Sequence, residues 1–424
     1  IQWSDYRGRM EELATNVLGT PVTVRGDIEF TLLPQPLLRF TDVLVGEPEE
    51  PAATVDSVEA EFSLIDFLRD NYNLTRLVLR QPVIDFTVDE SGFFGSGVSV
   101  ATANSGVGLG QTTIVNATVR LADRRSGENF VANDVSGELR LGSFSGPFAF
   151  TGTGTYRGDT YGLRFNSSAA DELGNARVSL FVQPQSSGFS LAAEGLLAPG
   201  MAPKFSGGLV FRQTPPPAEV AENIRGDLVF ESEITASTDR IVLSGYTLRP
   251  DENRAGTRLT GAASIQLGER HSFDAVISGG VFSLPPRDAT EDASSLPYEA
   301  VRLLAELPAP IIPPMPGRIG VDLAEVGLRG FALRNVRMDA TSDGQTWQIE
   351  QFIGHLPGDT ELRASGQLGV ENDQPAFRGD VSVASTRLDA LAALWRKPKE
   401  DTPLFNVPGT LTGRVMLVGE ALGL

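Results

Sequence analysis

Alternation of polar and apolar side chains runs through most of this chain and limits what it can fold into. In the stretch VDSVEAEFSL, for example, Val58, Ala60 and Phe62 alternate with serine and glutamate. An alternation with a period of two places the apolar side chains of a strand on one face of a sheet. The pattern recurs along the chain, broken by turn-forming stretches such as PQSSGF and TSDGQ. We therefore predict a mainly β fold, built as a long curved antiparallel meander sheet that forms a groove or an open half-barrel.

A few segments break the alternation and predict about four short helices. The first runs from Ser4, a suitable N-cap, to residue 18, with apolar side chains at helical spacing. The others are predicted over SLIDFLRDN, over YEAVRLLAEL after Pro297, and over TRLDALAALWR from Thr386. Four helices of this length cover only a small part of such a sheet.

Degenerate repeats divide the strand-rich part of the chain. The segments that begin at Asn116 and Asn335 have the same order of strand, Ser-containing turn, strand and tight turn, and they reach Gly152 and Gly366. A middle copy reaches Gly261. Repeats of this kind predict stacked units, each of which needs its neighbours to bury its apolar face. We predict four units, with the last one incomplete at its end. They span residues 1–95, 96–215, 216–316 and 317–424.

The apolar face of the predicted sheet is the candidate binding surface. Such a face is covered by a second sheet, enclosed by a barrel, or occupied by an apolar ligand, and the sequence leaves all three possibilities open. A hydrocarbon ligand would gain about 0.8 kcal/mol for each buried methylene without any fixed geometry. The candidate residues of this face are Ile28, Phe30, Leu32, Val58, Ala60, Phe62, Ile84, Phe86, Val88, Leu228 and Phe230.

Composition excludes several classes of function. The formal net charge of −19 over 424 residues disfavours binding to nucleic acid, which selects basic surfaces. The chain has no cysteine, so it contains neither disulfides nor thiolate metal sites. It has no apolar run of about 20 residues, the length that a membrane-spanning helix needs.

No motif in the sequence predicts catalysis, and we expect no enzyme activity, cofactor or metal. His271 and His355 are far apart and lack nearby serine or carboxylate partners, so a structural role is favoured for both. The stretch GVGLG from Gly106 resembles a phosphate loop, but a strand pattern follows it where such a loop requires a helix. Glu231 and Glu233 share one strand face, which is typical of a solvated polar surface.

The first 95 residues resemble the AsmA family of bacterial envelope proteins, which are related to bridge-like lipid transfer proteins. The matching features are a W-x-x-Y near the helix start and LGTPVTVRGDIEFTLLPQPLLRFTDVLVGEP, followed by VDSVEAEFSLIDFLRDNYNLTRLVLRQPVIDFTVDESG. The usual Leu-Pro of the family is replaced by Asp66 and Phe67, and Asp70 and Asn71 stand where a glycine is commoner. Residues 317–397 also resemble the C-terminal region of the family.

This resemblance implies a periplasmic protein anchored to the inner membrane by one N-terminal helix that precedes the present chain. Members of the family form curved sheets with a hydrophobic groove, have no catalytic residues, and are implicated in phospholipid transport to the outer membrane or in its assembly. Phospholipid is therefore the expected partner, possible other partners being envelope proteins. The alternative is a structural scaffold or assembly factor of the envelope that covers its sheet with its own side chains or with partner proteins.

Overall fold

The fold is mainly β, as predicted, and it consists of two compact units. The computed structural model describes residues 3–18, 20–67, 69, 74–96, 111–141, 146–218, 226–253, 257–283, 309–328, 331–394, 406–418 and 421–423. Unit 1 comprises Ile1–Phe211 and Ile234–Asp239, and unit 2 comprises Arg212–Glu233 and Arg240–Leu424. The boundary at 211/212 lies close to the predicted boundary at 215/216, whereas those predicted at 95/96 and 316/317 fall inside the units.

Unit 1 contains two helices and most of the short strands. Its elements are α1 (Trp3–Leu18), β1 (Val22–Val24), β2 (Ile28–Thr31), β3 (Leu37–Glu47), β4 (Glu50–Phe62), α2 (Leu64–Phe67), β5 (Leu74–Arg80), β6 (Val83–Val88), β7 (Phe94–Gly95), β8 (Gln111–Asp123), β9 (Glu128–Leu141), β10 (Phe148–Tyr156), β11 (Asp159–Ser167), β12 (Ala176–Pro184) and β13 (Phe189–Ala198). The boundary between the units falls within β14 (Lys204–Gln213) and β15 (Leu228–Ser237).

The described part of unit 2 is mainly a sheet of long strands, with a short helix near its end. Its elements are β16 (Arg240–Arg249), β17 (Leu259–Gln266), β18 (Ser272–Ser283), β19 (Pro316–Gly327), β20 (Ala332–Asp343), β21 (Trp347–Leu356), β22 (Thr360–Glu371), β23 (Gln374–Ser385), α3 (Leu388–Ala392), β24 (Gly409–Val418) and β25 (Ala421–Gly423). The described residues therefore hold three of the predicted helices. The helix predicted over 298–307 lies outside the described residues.

Most neighbouring strands are antiparallel, as predicted, but the sheet is mixed. In unit 1, β5 and β6 both run parallel to β8, and in unit 2, β18 runs parallel to β19. The predicted antiparallel meander is therefore interrupted by parallel pairs at these places. A parallel pair needs a crossover connection of about a dozen residues or more. The long segments between β7 and β8 and between β18 and β19 meet that need.

A line of left-handed residues crosses the strands of unit 1. Asp42, Gln81, Asn116 and Asp134 have φ angles of 50°, 49°, 54° and 52°. The strand register places them side by side on β3, between β5 and β6, on β8 and on β9. Asn116 and Asp134 coincide with register shifts in the pairing of β8 with β9, and irregularities of this kind bend a strand. Asn335, which begins the second repeat copy, has the same conformation, with φ of 48°.

Pairs of facing glycines allow adjacent backbones to approach closely. Gly137 faces Gly152 on β9 and β10, and Gly366 faces Gly379 on β22 and β23. A Cβ at Gly152 would lie 2.8 Å from the Cα of Gly137, and one at Gly379 would lie 2.7 Å from the Cα of Gly366. The two glycines that the repeat alignment matched therefore have the same role: they leave room for the neighbouring strand.

Helix α1 protects the first strand of the sheet. The backbone N–H of Val22 donates to Thr15 Oγ1 at 3.0 Å, and that of Val24 donates to Glu11 Oε1 at 2.8 Å. The Arg7 guanidinium donates to the carbonyl oxygen of Gly26 at 2.9 Å. An edge strand with free N–H groups is a template for pairing with another chain. Side chains of α1 accept hydrogen bonds from these two N–H groups of β1.

Removing both acceptors of α1 should therefore promote self-association. We expect the double variant Glu11→Ala/Thr15→Ala to form dimers or larger species at concentrations where the wild type does not, because two β1 N–H groups lose hydrogen bonds that each contribute about 0.5–1.5 kcal/mol. Light scattering coupled to size exclusion measures this. Glu12→Ala, which removes an exposed carboxylate from the same helix, is the control. A double variant with the mass distribution of the control contradicts the protective role.

Candidate apolar binding face

Six neighbouring strands of unit 1 place their apolar side chains on one side. The register aligns Leu139, Phe150, Phe165 and Leu180 across β9 to β12. The close approach of Gly195 and Gly207 continues the same side onto β13 and β14, where the rings of Phe189 and Phe211 lie 5.6 Å apart. We call this surface the unit 1 apolar face. Its large members are Leu139, Leu141, Phe148, Phe150, Leu163, Phe165, Val178, Leu180, Val182, Phe189, Leu191, Leu197, Phe205, Leu209 and Phe211.

The unit 1 apolar face is sheltered but not packed under a second layer of the described residues. Most of its side chains are half-buried, and of its large members only Val178 is buried, while Leu180 remains 38% exposed. The opposite side of β14 is more exposed, since Lys204, Ser206 and Val210 are open to solvent. Lateral neighbours in the sheet therefore supply most of the burial of this face. A face of this kind can accept an apolar ligand.

Contacts between distant turns show that the sheet of unit 1 is curled. The N–H of Phe94 donates to the carbonyl oxygen of Met201 at 2.6 Å, which joins β7 to the turn after β13. Strand β7 lies next to β6, and β6 pairs with β8. In a flat sheet with strands about 4.8 Å apart, β8 and β13 would be separated by roughly 24 Å. Because the turn after β13 reaches β7, these strands are curled, and the residues of the apolar face are mostly less exposed than those of the opposite side.

An arginine joins two further turns of unit 1. Arg125 donates from Nε and Nη2 to the two carboxylate oxygens of Asp123, at 3.0 and 2.8 Å. Its Nη1 donates to Asp239 Oδ1 at 2.7 Å, and its Nη2 also donates to the carbonyl oxygen of Thr238 at 2.8 Å. The Thr238 hydroxyl donates to the carbonyl oxygen of Gly92 at 2.8 Å. We call this group of five residues the Arg125 clasp.

The electrostatics of the Arg125 clasp favour its charged form. Hydrogen bonds from the Arg125 guanidinium hold the pKa of the Asp123 carboxyl below its ordinary value of 3.8. When folding lowers the pKa of an acid, the ionised form of that acid stabilises the fold. This stabilisation is fully present above the unfolded-state pKa and is lost as the pH falls through the folded-state pKa. Asp123 is therefore ionised at neutral pH, and its contribution to the clasp is lost only as the pH falls through its lowered pKa.

The structure places five of the sequence-predicted face residues in a core that α1 helps to close. Ile28 and Val58 pack with Ala14 of α1 around a cluster of buried valines. Ala60 and Phe62 are buried in a second cluster, and Phe30 and Met10 of α1 pack against it. Leu32 lies outside both clusters and is 42% exposed. On β2 and β4, side chains of the protein itself therefore cover the apolar side of the sheet.

The remaining predicted residues lie in two other places. Ile84, Phe86 and Val88 are on β6, where the ring of Phe86 stacks on Phe94 at 5.5 Å.

Leu228 and Phe230 belong to unit 2. The ring of Phe230 lies 5.2 Å from that of Tyr246, whose hydroxyl donates to the carbonyl oxygen of Val276 at 2.8 Å. Burial raises the pKa of Tyr246. None of the eleven predicted residues belongs to β9–β14, and Leu228 and Phe230 belong to a different unit from the other nine.

The apolar face of unit 2 is more completely filled than that of unit 1. Trp347 is buried with Ala340 and Ile349, and its indole N–H donates to the carbonyl oxygen of Ile311 at 2.9 Å. Ile312, which precedes β19, packs against the same cluster. A second cluster surrounds Leu323. Side chains of unit 2 itself therefore cover much of this face.

The polar sides of the sheets carry charged pairs instead of a reactive cluster. On unit 2, Arg318 binds Asp274 with two hydrogen bonds of 3.0 Å across neighbouring strands. Open depressions of about 660 and 620 Å³ lie around Arg363 and around Arg164, whose guanidinium lies 4.6 Å from the ring centre of Phe181. Neither depression is lined by a histidine.

The candidate chemical residues stay apart in the described part of the chain. The prediction that His355 lacks a carboxylate partner is wrong, because its imidazole lies 3.8 Å from the Glu361 carboxylate on the neighbouring strand. Glu231 is paired with Arg249 at 3.2 Å. Within the described ranges, no group of three or more His, Asp or Glu side chains is placed to hold a metal ion. Strand β8 follows GVGLG, as predicted, where a phosphate loop requires a helix.

No described helix combines the length and the apolar character needed to cross a membrane. No protein-family model matches the chain, and no curated protein matches it in sequence. The resemblance to the AsmA family therefore stays a prediction from the quoted motifs.

Proposed function

We propose that the chain is a lipid-handling protein that holds the acyl chains of phospholipid on the unit 1 apolar face. The observation that carries this proposal is a sheltered, one-layer apolar surface across β9–β14 that other described residues leave uncovered. An exposed apolar surface of this extent is unusual unless something binds to it. Phenylalanine, leucine and valine side chains on a curled sheet suit a flexible hydrocarbon.

The energetics of such binding need no specific motif. Each methylene that leaves water contributes about 0.8 kcal/mol, so an acyl chain gains affinity with its buried length. The rotational freedom that the chain loses opposes part of this gain.

The proposed setting is the bacterial periplasm, at the inner membrane, in phospholipid transport to the outer membrane or in its assembly. The resemblance of residues 1–95 and 317–397 to the AsmA family supports it. We propose no catalytic step, since transfer of a lipid makes and breaks no covalent bond. Envelope proteins would be the partners that receive or supply the lipid.

A structural scaffold is the second candidate function. The observation that favours it is that the chain covers parts of its apolar surfaces with its own side chains. Helix α1 packs on Phe62, and the segment before β19 packs on Trp347. A scaffold of this kind would use the polar sides for partner proteins. It would hold no lipid on β9–β14.

Native mass spectrometry of the protein purified from bacterial membranes and periplasm tests the proposal. We expect a population whose mass exceeds that of the chain by one or more phospholipids, and lipid extraction from the same sample should identify them. A delipidated sample that is mixed with phosphatidylethanolamine vesicles and separated from them should regain the added mass. Repeated preparations that carry no lipid and acquire none would support the scaffold.

A further inference from the structure

Three turns of unit 1 bring exposed apolar side chains together. Leu173, in the turn between β11 and β12, is 86% exposed, and Met201, in the turn between β13 and β14, is 67% exposed. A Cβ on Gly174 would lie 3.9 Å from Cγ of Pro199, so these two turns are neighbours. The third turn holds Phe93, which is 46% exposed and precedes the residue whose N–H donates to the Met201 carbonyl oxygen. We call the exposed apolar residues of these turns the turn patch, which consists of Phe93, Leu173, Pro199, Met201 and Ala202.

The turn patch continues the unit 1 apolar face. Apolar side chains that are exposed singly need no explanation, whereas a contiguous group marks an interaction site. The segment PGMAP over residues 199–203 contains no polar side chain. Leu197 and Phe205, both members of the unit 1 apolar face, lie two residues before and two residues after this segment. Apolar side chains therefore run from the ends of β13 and β14 into the turn that joins them.

The backbone of the turn patch exposes few groups that depend on water. The segment 199–203 begins and ends with proline, which has no N–H, and its Met201 carbonyl oxygen accepts a hydrogen bond at 2.6 Å. In the turn before β12, the Asp171 carboxylate accepts the N–H groups of Leu173 and Asn175 at 2.9 and 2.8 Å. Polar backbone groups without a partner are strongly disfavoured in lipid. The internal hydrogen bonds of these turns reduce that penalty.

The charges beside the turn patch are balanced. Four exposed charged residues flank its turns, two acidic and two basic: Asp171, Glu172, Arg177 and Lys204. Their combined attraction to a charged partner is therefore small. In a membrane interface, charged side chains stay among the headgroups while neighbouring apolar side chains reach the acyl boundary. This arrangement suits shallow insertion that apolar contacts drive.

We propose that the turn patch docks on the surface of a phospholipid bilayer, with the side chains of Leu173 and Met201 inserted at its interface. A bilayer accepts separate exposed side chains without a shaped pocket, whereas a protein partner has to match them in shape. The inference rests on the proposed function for the use of this contact. The bilayer is the source of the phospholipid, and acyl chains reach the unit 1 apolar face at the ends of β13 and β14.

Sedimentation with sucrose-loaded phosphatidylcholine vesicles tests the docking. This lipid has no net charge, so the net charge of −19 on the chain does not oppose binding. We expect Leu173→Ser/Met201→Ser to bind at least about tenfold more weakly than wild type, because burial of each side chain contributes about one tenfold step in affinity or more. The bound fraction of wild type should be similar at low and high salt, because contacts that salt does not screen drive the binding.

Unit 2 offers a matched control. Ile311 and Leu411 are 88% and 68% exposed, close to the values for Leu173 and Met201. Ile311→Ser/Leu411→Ser therefore removes a similar exposed apolar surface from the other unit, and it should bind vesicles as wild type does. Circular dichroism checks that both double variants remain folded. Equal losses of binding in the two would mean that general surface hydrophobicity drives it, and the turn patch would be overturned as the docking site.

A fluorescent label reports the insertion directly. The chain has no cysteine, so Leu173→Cys and Ile311→Cys each provide a single thiol for an environment-sensitive fluorophore. Phosphatidylcholine vesicles should increase and blue-shift the emission of the label at position 173 and leave the label at position 311 unchanged. A label at position 173 that stays in a watery environment with vesicles in excess overturns the proposal.

The outcomes separate the docking from the proposed function. If wild type carries phospholipid in native mass spectra but binds vesicles no better than Leu173→Ser/Met201→Ser, the docking is overturned and lipid binding stands. If the turn patch binds vesicles but wild type carries no phospholipid, the proposed function is overturned and the docking stands. A wild-type dimer that this variant converts to a monomer, without vesicle binding, would assign the patch to a second copy of the chain and overturn the bilayer as its partner.

Discussion

The Leu180→Asp variant should lose its bound phospholipid while it keeps its fold. Leu180 lies at the centre of the unit 1 apolar face on β12 and is 38% exposed, so an acyl chain on this face would pass over it. A carboxylate in contact with hydrocarbon loses hydration and gains no partner, which costs several kcal/mol. We expect the lipid-bound fraction in native mass spectra to fall by at least about tenfold, the factor that each 1.4 kcal/mol represents.

Leu196→Asp is the matched control for this substitution. Leu196 lies on the adjacent strand β13, is 48% exposed, and is paired in register with Arg177 on the polar side of the sheet. The two variants add the same charge to neighbouring strands, at similarly exposed leucines, on opposite sides. Circular dichroism checks that both remain folded. Equal lipid content in the two variants would remove the apolar face as the binding surface.

A valine at Gly207 should disrupt β13 and β14. A Cβ at this position would fall on the carbonyl oxygen of Glu194 and lie 2.6 Å from the Cα of Gly195, so one backbone has to move. Overpacking against a backbone that cannot shift locally costs about 2–4 kcal/mol. We expect a lower free energy of unfolding by that amount in urea titrations, together with faster hydrogen exchange in β13 and β14.

The adjacent Gly208 offers a control in the same strand. A Cβ at Gly208 meets no atom within 4 Å. Valine favours extended backbone and reduces the freedom of the unfolded chain, so Gly208→Val should change the free energy of unfolding by less than about 0.5 kcal/mol or raise it slightly. Similar losses in both variants would mean that general strand propensity, and not close approach of the backbones, determines the effect.

Local patterns in the sequence are enough to predict the elements of this fold. Helical spacing around Met10 predicts α1, and alternation predicts the strands on both sides of each glycine turn. The parallel pairs of β8 and β19 are not predicted because strand order depends on where long connections cross, and the sequence of a connection does not record its path. The glycine pairs are detectable as repeat positions, such as Gly152 and Gly366, but their role becomes clear only when the facing strand is known.

The candidate face is only partly predictable for a related reason. Alternation predicts which side of a strand is apolar. The alternating pattern is equally regular around Phe30 and around Phe150. Whether α1, a segment of loop or a ligand covers that side depends on contacts between residues far apart in the chain. The FAFTGTGTY stretch around Phe150 carries the same signal as the earlier strands, so alternation alone does not distinguish it from them. Arg125 and Asp239 offer no local signal at all, since their contact spans 114 positions.

The helix that occupies the N–H groups of Val22 and Val24 also restricts how an architecture of this kind can change in length. A hairpin added before β1 would have to displace α1 and compete with side chains that already satisfy those donors. A hairpin that is duplicated inside the meander, or added after it, would not compete with α1 for these N–H groups. Size variation in molecules built on this plan should therefore accumulate on the C-terminal side of β3, while the opening helix and its first strand are inherited as a fixed start.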